Sequence, residues 1–241
     1  MNEYLKIIHR KITECSRNYN GSIVFEKKMQ DNKTGNSIAA KLRDYKELTK
    51  FTLSFTVVFS CVICFLLTPA NGYNWLMITI LFIAGMLVTG SANAINQAVE
   101  KETDAVMKRT SKRPVANGRM TVNEAYLFAF IAGSLGVVLM VYFFNVTAAL
   151  LSAFSLFLYA FIYTPLKKIN SIAVLIGAFP GALPCLIGWV AGFYNDEIKW
   201  TGGLILFAMQ FLWQFPHFWA IAWVAHEDYT KAGFKLLPSA K

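Results

Sequence analysis

Long apolar segments separated by short polar ones dominate this chain from residue 51 onwards. Each approaches the roughly 20 residues that a helix needs to cross the hydrocarbon core of a bilayer. The segments fall at about 51–67, 75–95, 121–144, 148–163, 172–193 and 202–224. The pattern predicts an all-α, polytopic transmembrane helix bundle with about six spans. A polar, basic segment, 1–48, precedes it, so the predicted membrane domain is 49–241.

Local signals in the sequence predict helix ends and helix contacts. Thr121 and Glu124 have the T-x-x-E spacing of a capping box, which marks the start of the third span. Asn145 separates the third span from the fourth. The fifth span contains two Gly-x-x-x-Gly pairs, which predict close packing against neighbouring helices. These pairs are Gly177 with Gly181 and Gly188 with Gly192.

The composition excludes an ordinary soluble domain. Of the 241 residues, 56% are hydrophobic and only 15% are charged, and the formal net charge is +9. If segment 1–50 faces the cytoplasm, 22 of the 23 Lys and Arg residues fall on that side and only Lys199 falls on the other. This distribution follows the positive-inside rule. The positive charge therefore indicates membrane orientation and gives no reason to expect a nucleic acid partner.

The cysteines do not indicate a redox or metal site. Cys61 and Cys64 form a C-x-x-C pair, but the pair lies inside the first apolar span. Reactive thiols need an accessible setting that lowers their pKa, so we expect both side chains to behave as small buried hydrophobes. Together with Cys15 and Cys185 they show no spacing typical of a disulfide framework.

Three oxygen-bearing side chains lie at four-residue intervals at the end of the second span. They are Asn96, Glu100 and Asp104, and a helix places residues at this spacing on one face. Ionisable groups at such a position are costly unless a cation lies among them. Hard oxygen atoms are the ligands that Mg²⁺ prefers, and protein-bound Mg²⁺ commonly bridges to phosphate oxygens.

Basic residues follow this column of oxygens directly. They are Lys108, Arg109, Lys112 and Arg113, and Arg offers a bidentate fork for phosphate. Together the two groups predict a site for a diphosphate held through Mg²⁺. The alternative is a solvated helix end that obeys the positive-inside rule, which explains the bases but not the shared face of the acids.

A second cluster of acids and bases, Glu227–Lys231, follows the sixth span. The distribution of Lys and Arg puts this cluster and the first one on the same side of the membrane. Two clusters far apart in sequence can then close one site, which favours the diphosphate interpretation over the solvated helix end.

The first cluster resembles the first motif of the UbiA-type membrane prenyltransferases, and in particular of the haem branch of that family. Other segments are similar as well: 44–50, Tyr163–Lys167, 181–189, Trp213–Phe218 and 228–238. The resemblance extends from about residue 40 to the end of the chain. It implies a fold of nine helices, of which six are recognisable here, so the last third of that fold is expected to be missing.

The resemblance also implies a reaction. A farnesyl group would pass from farnesyl diphosphate to a vinyl group of haem b, with addition of water. The implied cofactor is Mg²⁺, with its ligands at Asn96, Glu100, Asp104 and Asp228. Tyr229 would orient the second cluster or stabilise the allylic cation. The residues implied to bind the diphosphate are Arg109, Lys112, Arg113 and Lys231.

A location and partners follow from the same resemblance. It implies a bacterial cytoplasmic (inner) membrane, with the N-terminus and active site on the cytoplasmic side and lipid around the spans. Haem A synthase or oxidase assembly proteins are the implied protein partners. The charged segment 1–51 has no apolar core of the kind found in secretory signals, and its acids are not typical of organellar transit peptides.

Two polar residues lie within the sixth span. His217 could contact the haem iron or a propionate or act as a base, and it could instead hydrogen-bond to a neighbouring helix. Gln214 is interpreted as structural. Alternatives to the reaction above are another acceptor, such as an aromatic acid or chlorophyllide, and a transporter. A transporter would need mid-membrane polar residues in several spans, and spans one to four are almost wholly apolar.

The sequence departs from the family pattern at three positions besides its length. Glu100 stands where Asp is usual, which keeps a carboxylate for the metal. Phe51 stands where Pro is common, with little chemical consequence. Val224 occupies the position at which sister branches carry the first of two Asp residues, and this favours the haem branch.

Overall fold

The computed structural model describes residues 38–69, 74–194 and 197–234, which form helices and the turns between them. The predictions for 1–37 and for 235–238 lie outside this part of the chain. The helices are α1 (Ile38–Leu48), α2 (Phe51–Leu66), α3 (Trp75–Val99), α4 (Lys101–Val106), α5 (Val122–Phe143), α6 (Val146–Leu166), α7 (Ala173–Ala191), α8 (Trp200–Val224) and α9 (His226–Lys231). The chain divides into two compact units, 1–45 and 46–241.

The helices confirm the predicted transmembrane bundle. Five of them, α3 and α5 to α8, are long and apolar enough to cross a membrane, and α1 and α2 add a sixth span if they are taken as one bent segment. The protein is therefore an integral membrane protein. The predicted bounds are close to the observed ones, except that α3 continues to Val99 and so includes Asn96.

Side-chain caps form at the helix starts that the sequence predicts. The Thr121 hydroxyl accepts a hydrogen bond from the Glu124 backbone N–H at 3.1 Å, at the start of α5. Asn145 Oδ1 accepts one from the Ala148 N–H at 2.8 Å, and its Nδ2 donates to the Val190 carbonyl at 2.9 Å. Asn145 therefore both starts α6 and joins it to α7, because it supplies an orphan N–H with an acceptor.

Helix α7 is the centre of the bundle. In its most apolar stretch 72% of the residues are buried, against 6% for α8. Its glycines allow this position, because a methyl group at Gly188 would overlap the backbone carbonyl of Cys61 in α2. A methyl group at Gly181 would lie 2.7 Å from the side chain of Gln214 in α8. The close packing predicted from the Gly-x-x-x-Gly pairs is thus confirmed.

The apolar core surrounds α7 and includes side chains from α2, α3, α5 and α6. Its largest members include Phe65, Leu81, Met140 and Phe144. Cys61, Cys64 and Cys185 are buried and unbridged, in agreement with their interpretation as small hydrophobes. Gln214 is also buried, and its Nε2 donates to the Gly181 carbonyl at 3.1 Å, which is the structural role expected of it.

One end of the bundle has irregular helix geometry. α6 contains a π-helical turn, Leu158–Tyr163, before its last turn Thr164–Leu166. α3 gives way to α4 at Glu100, and α8 gives way to α9 at Ala225. π-helical turns occur frequently at functional sites. All three irregularities lie next to the two predicted clusters of acids and bases.

Candidate active site

The predicted column of oxygen ligands forms across the junction of α3 and α4. The helical hydrogen bonds continue through the junction, from the Glu100 N–H to the Asn96 carbonyl at 3.0 Å and from the Asp104 N–H to the Glu100 carbonyl at 2.7 Å. The three residues therefore remain on one face. Their exposed fractions are 1%, 3% and 0%, so three polar side chains are buried at one end of a membrane bundle.

Each member of the column is paired with a basic side chain. Lys50 Nζ donates to Asn96 Oδ1 at 2.8 Å. Arg113 Nη1 donates to both carboxylate oxygens of Asp104, at 2.8 and 2.6 Å.

The third pair joins Lys167 to Glu100. The Lys167 Nζ lies 2.6 Å from Glu100 Oε1. At this distance the ammonium group faces the carboxylate oxygen directly. The contact is therefore an ion pair. Such pairing offsets part of the free energy that it costs to bury the two charges.

Lys50 lies in the turn before α2, outside the helical spans. Burial of its ammonium group, together with the nearby positive charges of Arg113 and Lys167, lowers the pKa of Lys50 from 10.5 to about 7. Glu100 and Asp104 act in the opposite direction. An anion brought into this site would favour the charged form of Lys50, because an opposite charge offsets the desolvation.

The C-terminal part of α6, which includes the π-helical turn, is joined to Asn96 of the column by hydrogen bonds. The Asn96 Nδ2 donates to the Thr164 hydroxyl at 3.4 Å, and that hydroxyl donates to the Tyr159 carbonyl at 2.8 Å. The rings of Tyr159 and Tyr163 lie 5.4 Å apart. The Lys167 Nζ lies 4.8 Å from the centre of the Tyr163 ring, within reach of a cation–π interaction.

The second cluster meets the first one at the same end of the bundle. An Arg109 Nη2 donates to the Tyr229 hydroxyl at 3.2 Å, and the guanidinium carbon lies 5.8 Å from the ring centre. The Tyr229 ring contacts that of Phe234, and Lys167 lies 5.4 Å from the latter. Two segments that are 120 residues apart in sequence are thus brought together around Glu100.

Other predicted site residues lie at the margin of the column. Lys112 and Lys231 are exposed and Asp228 is half-buried. Among the described residues, no three His, Cys, Asp or Glu side chains lie close enough to hold one metal ion together. Asp228 is therefore not grouped with Glu100 and Asp104 as a preformed three-carboxylate site.

His217 lies apart from both clusters. It is exposed on α8, seven residues or about 10 Å along the helix from Val224. Its ring is 6.1 Å from that of its neighbour Phe218. No described hydrogen bond joins His217 to another helix, and its assignment to haem remains a prediction.

Sequence reasoning did not select Lys50 as a site residue, and for Lys167 and Lys168 it preferred membrane orientation over a contact with haem propionates. Lys50 and Lys167 belong to the predominantly cytoplasmic positive charge, so the orientation rule accounts for them equally well. Both residues lie in segments that resemble the family, and this resemblance was the only sequence feature that could have marked them as site residues. The contacts of Lys50 with Asn96 and of Lys167 with Glu100 could not be predicted from spacing, because each joins segments that are distant in sequence.

The arrangement suits a polyanion bound through a divalent cation. The buried oxygens of the column are hard ligands, and six of the basic side chains in the two clusters and their borders are candidate partners for an anion. They are Lys50, Arg109, Lys112, Arg113, Lys167 and Lys231. A diphosphate has the charge and the oxygen atoms to bind both groups at once.

Comparisons with known proteins agree with this geometry. The family model described as the UbiA prenyltransferase family matches residues 57–241. A protein of Cytophaga hutchinsonii named protoheme IX farnesyltransferase is 48% identical over 202 residues, which cover 84% of this chain and 70% of that one. One of the same name from Flavobacterium johnsoniae is 43% identical, with 84% and 67% covered.

Solved structures share the fold. A digeranylgeranylglyceryl phosphate synthase aligns with a TM-score of 0.68 and 24% identity, covering 82% of this chain and 68% of that one. A UbiA homologue from Archaeoglobus fulgidus, bound to GPP and Mg²⁺, aligns with a TM-score of 0.65 and 17% identity, covering 80% and 67%. By the family match and by the identity to these relatives, this chain belongs to the UbiA prenyltransferase family.

Proposed function

We propose that this chain is a protoheme IX farnesyltransferase. It transfers a farnesyl group from farnesyl diphosphate to a vinyl group of haem b and adds water, which gives haem O for terminal oxidases. The buried column of Asn96, Glu100 and Asp104, each with a basic partner, is the observation that carries the diphosphate chemistry. The names of relatives at 43–48% identity support haem as the acceptor.

The column fits Mg²⁺ by the chemistry of its donors. Asn96, Glu100 and Asp104 offer an amide oxygen and the oxygens of two carboxylates from a single face, and all three side chains are buried. These residues would hold the ion, with Asp228 as the contribution of the second cluster. When bound, Mg²⁺ neutralises the negative charge of the diphosphate. The homologue bound to GPP and Mg²⁺ has the same fold.

The basic side chains stabilise the leaving group. Arg113 and Lys167 neutralise carboxylates of the column, and if those carboxylates held a cation, the two bases would be available to the diphosphate oxygens. Arg109, Lys112 and Lys231 lie at the exposed rim and attract the anion from solution. Lys50 completes the set from the turn before α2. Their fixed positive charge favours the state in which the diphosphate departs.

The reaction breaks the C1–O bond of farnesyl diphosphate, the π bond of the vinyl group and one O–H bond of water, and it forms one carbon–carbon and one carbon–oxygen bond. The C1–O bond of farnesyl diphosphate breaks with its electron pair on the diphosphate. The terminal vinyl carbon of haem b then bonds to C1, and water adds to the inner vinyl carbon and loses a proton. Tyr229, held by Arg109 at 3.2 Å, presents its ring and hydroxyl beside the site, where it orients the second cluster or stabilises the cation.

The location and the partners are parts of the same proposal. The charge distribution supports a cytoplasmic N-terminus and active site in a bacterial inner membrane. Farnesyl diphosphate then enters from the side that carries both clusters. Haem b and lipid are the membrane-side partners, His217 is the candidate haem residue, and haem A synthase or oxidase assembly proteins are the protein partners that would receive the product.

The test is formation of haem O from defined substrates. Membranes containing the chain are incubated with haem b, farnesyl diphosphate and Mg²⁺, and the porphyrins are identified by mass spectrometry. We expect haem O from the unmodified chain and none from Asp104→Asn. Haem O from both would reject the site but keep the function. Consumption of farnesyl diphosphate only with an aromatic acid or chlorophyllide would identify a different acceptor.

A further inference from the structure

The turn between α1 and α2 is held by two side-chain amides of α3. Gln97 Nε2 donates to the carbonyls of Glu47 at 2.9 Å and Leu48 at 3.0 Å. Asn93 Nδ2 donates to the Thr49 carbonyl at 3.3 Å. Three successive carbonyls before Lys50 therefore accept hydrogen bonds from one face of α3. The residues 47–50 are called the 47–50 turn below.

The last residue of the 47–50 turn has a strained backbone. Lys50 has φ 47° and ψ 56°, the left-handed region, and among the described residues it is the only one other than glycine with a positive φ. A Cβ atom makes this region unfavourable. Such a conformation persists only where the surroundings enforce it, and enforced strain is concentrated at functional sites.

The strained backbone directs Lys50 at the site. Its ammonium group lies 2.8 Å from Asn96 Oδ1, and Asn96 is on α3 between the two residues that hold the turn. One turn of α3 thus fixes the backbone of Lys50 through Asn93 and Gln97 and meets its side chain through Asn96. Helix α3 therefore fixes both the backbone conformation of Lys50 and the position of its ammonium group.

We infer that Gln97 and Asn93 are positioning residues, which hold the 47–50 turn so that the Lys50 ammonium faces the bound diphosphate. The inference rests on the proposed function, since a bound diphosphate is the anion that the Lys50 ammonium would face. Gln97 is fully buried, and its Oε1 has no hydrogen-bond partner in the described part of the chain. The Gln97 side chain therefore makes its described hydrogen bonds only through its NH2 group, and both acceptors lie in the 47–50 turn.

A purely structural role predicts different behaviour. The carbonyls of Glu47 and Leu48 end α1, where the last four carbonyls lack partners within the helix. If Gln97 only caps α1, its loss weakens the fold without changing the affinity for diphosphate. If it positions Lys50, its loss and the loss of Lys50 affect one and the same interaction, so the two effects do not multiply.

A double-mutant cycle separates the two roles. The full chain in detergent is titrated with inorganic diphosphate in the presence of Mg²⁺ by calorimetry, for Gln97→Met, Asn93→Leu, Lys50→Met and each pair with Lys50→Met. The matched control is Ser91→Ala, because Ser91 is a buried α3 residue whose hydroxyl donates to the Ala129 carbonyl at 2.7 Å instead of to the turn. Thermal unfolding of each variant reports the fold.

We expect the dissociation constant to rise about tenfold for Gln97→Met and for Lys50→Met. We expect the double variant to bind as weakly as Lys50→Met alone and Ser91→Ala to bind normally. In haem O synthesis the KM for farnesyl diphosphate should rise while that for haem b does not. Asn93→Leu should show the same pattern, so the inference can still be tested if Gln97→Met fails to fold.

Three results would overturn the inference. They are unchanged diphosphate affinity in both amide variants, effects that multiply with that of Lys50→Met, and an unmodified chain that binds no diphosphate. A chain that binds diphosphate but makes no haem O would reject the proposed function alone. In that case the cycle with inorganic diphosphate still decides the role of Gln97.

Discussion

At the scale of single residues, the site depends on pairs that join different parts of the chain. The spacing of Asn96, Glu100 and Asp104 is a local property of a helix, so their common face could be predicted from sequence. The partners Lys50 and Lys167 could not, since their positions depend on how α2 and α6 pack against α3. The amides of Asn93 and Gln97 gave no signal either, because an apolar span predicts only that they are buried.

Loss of the Arg113 guanidinium should destabilise the protein strongly. Asp104 is buried and Arg113 binds both of its oxygens, so Arg113→Met leaves a buried carboxylate without its partner. We expect a loss of about 3–5 kcal/mol in the free energy of unfolding, measured by titration with SDS in mixed micelles. The control is Arg119→Met, which breaks a partly exposed pair with Glu47 and should cost about 1 kcal/mol or less. Equal losses in the two variants would contradict the prediction.

The adjacent lysines of the 167–168 pair should differ in function. Lys167 is buried against Glu100 and Tyr163, whereas Lys168 is exposed. Lys167→Met removes a charge from the diphosphate site, so the KM for farnesyl diphosphate should rise about 10- to 100-fold. Lys168→Met should leave it unchanged. If the two variants behave alike in the haem O assay, membrane orientation is sufficient to explain both residues.

At the scale of the helices, prediction from sequence was accurate where the signal is local. Thr121 caps α5 as the sequence predicts, because a cap needs only residues within one turn, and Asn145, predicted only to separate two spans, caps α6. The π-helical turn Leu158–Tyr163 was not predicted, since its apolar sequence has no break. The apolar span was predicted to end near residue 95, and the helix continues to Val99, as the predicted common face of Asn96, Glu100 and Asp104 requires.

The contact between α2 and α7 should tolerate no side chain at Gly188. A methyl group there overlaps the backbone oxygen of Cys61, and a backbone cannot move aside without moving the helix. Gly85→Ala is a matched control, because its methyl group would meet only side-chain atoms of Val58, at 3.0 Å. We expect Gly85→Ala to cost about 1–3 kcal/mol of unfolding free energy.

Gly188→Ala should cost more than this control and reduce the yield of monodisperse protein in detergent. The measurements are size-exclusion chromatography and the same SDS titration. A Gly188→Ala variant as stable as Gly85→Ala would show that α2 and α7 lie further apart than described.

At the scale of the whole molecule, the asymmetry of charge and the position of the site have one explanation. Lys and Arg are concentrated on one side of the membrane in the predicted orientation, and the basic side chains of the site belong to that same set. Orientation and substrate binding therefore use the same charges. The sequence therefore predicts a side for the site, but it does not assign individual lysines to ligands or to orientation.

The orientation can be tested by labelling single cysteines from outside the cell. Lys108 and Lys199 are both exposed and lie on opposite sides in the predicted topology. In a background with Cys15→Ser, a membrane-impermeant maleimide should label Lys199→Cys in intact cells. It should label Lys108→Cys only after the membrane is opened, because the positive-inside rule puts the clusters in the cytoplasm. Cys61, Cys64 and Cys185 should stay unlabelled because they are buried. Labelling of Lys108→Cys in intact cells would place the site on the outer face, away from cytoplasmic farnesyl diphosphate, and would therefore reject both the topology and the proposed route of the substrate.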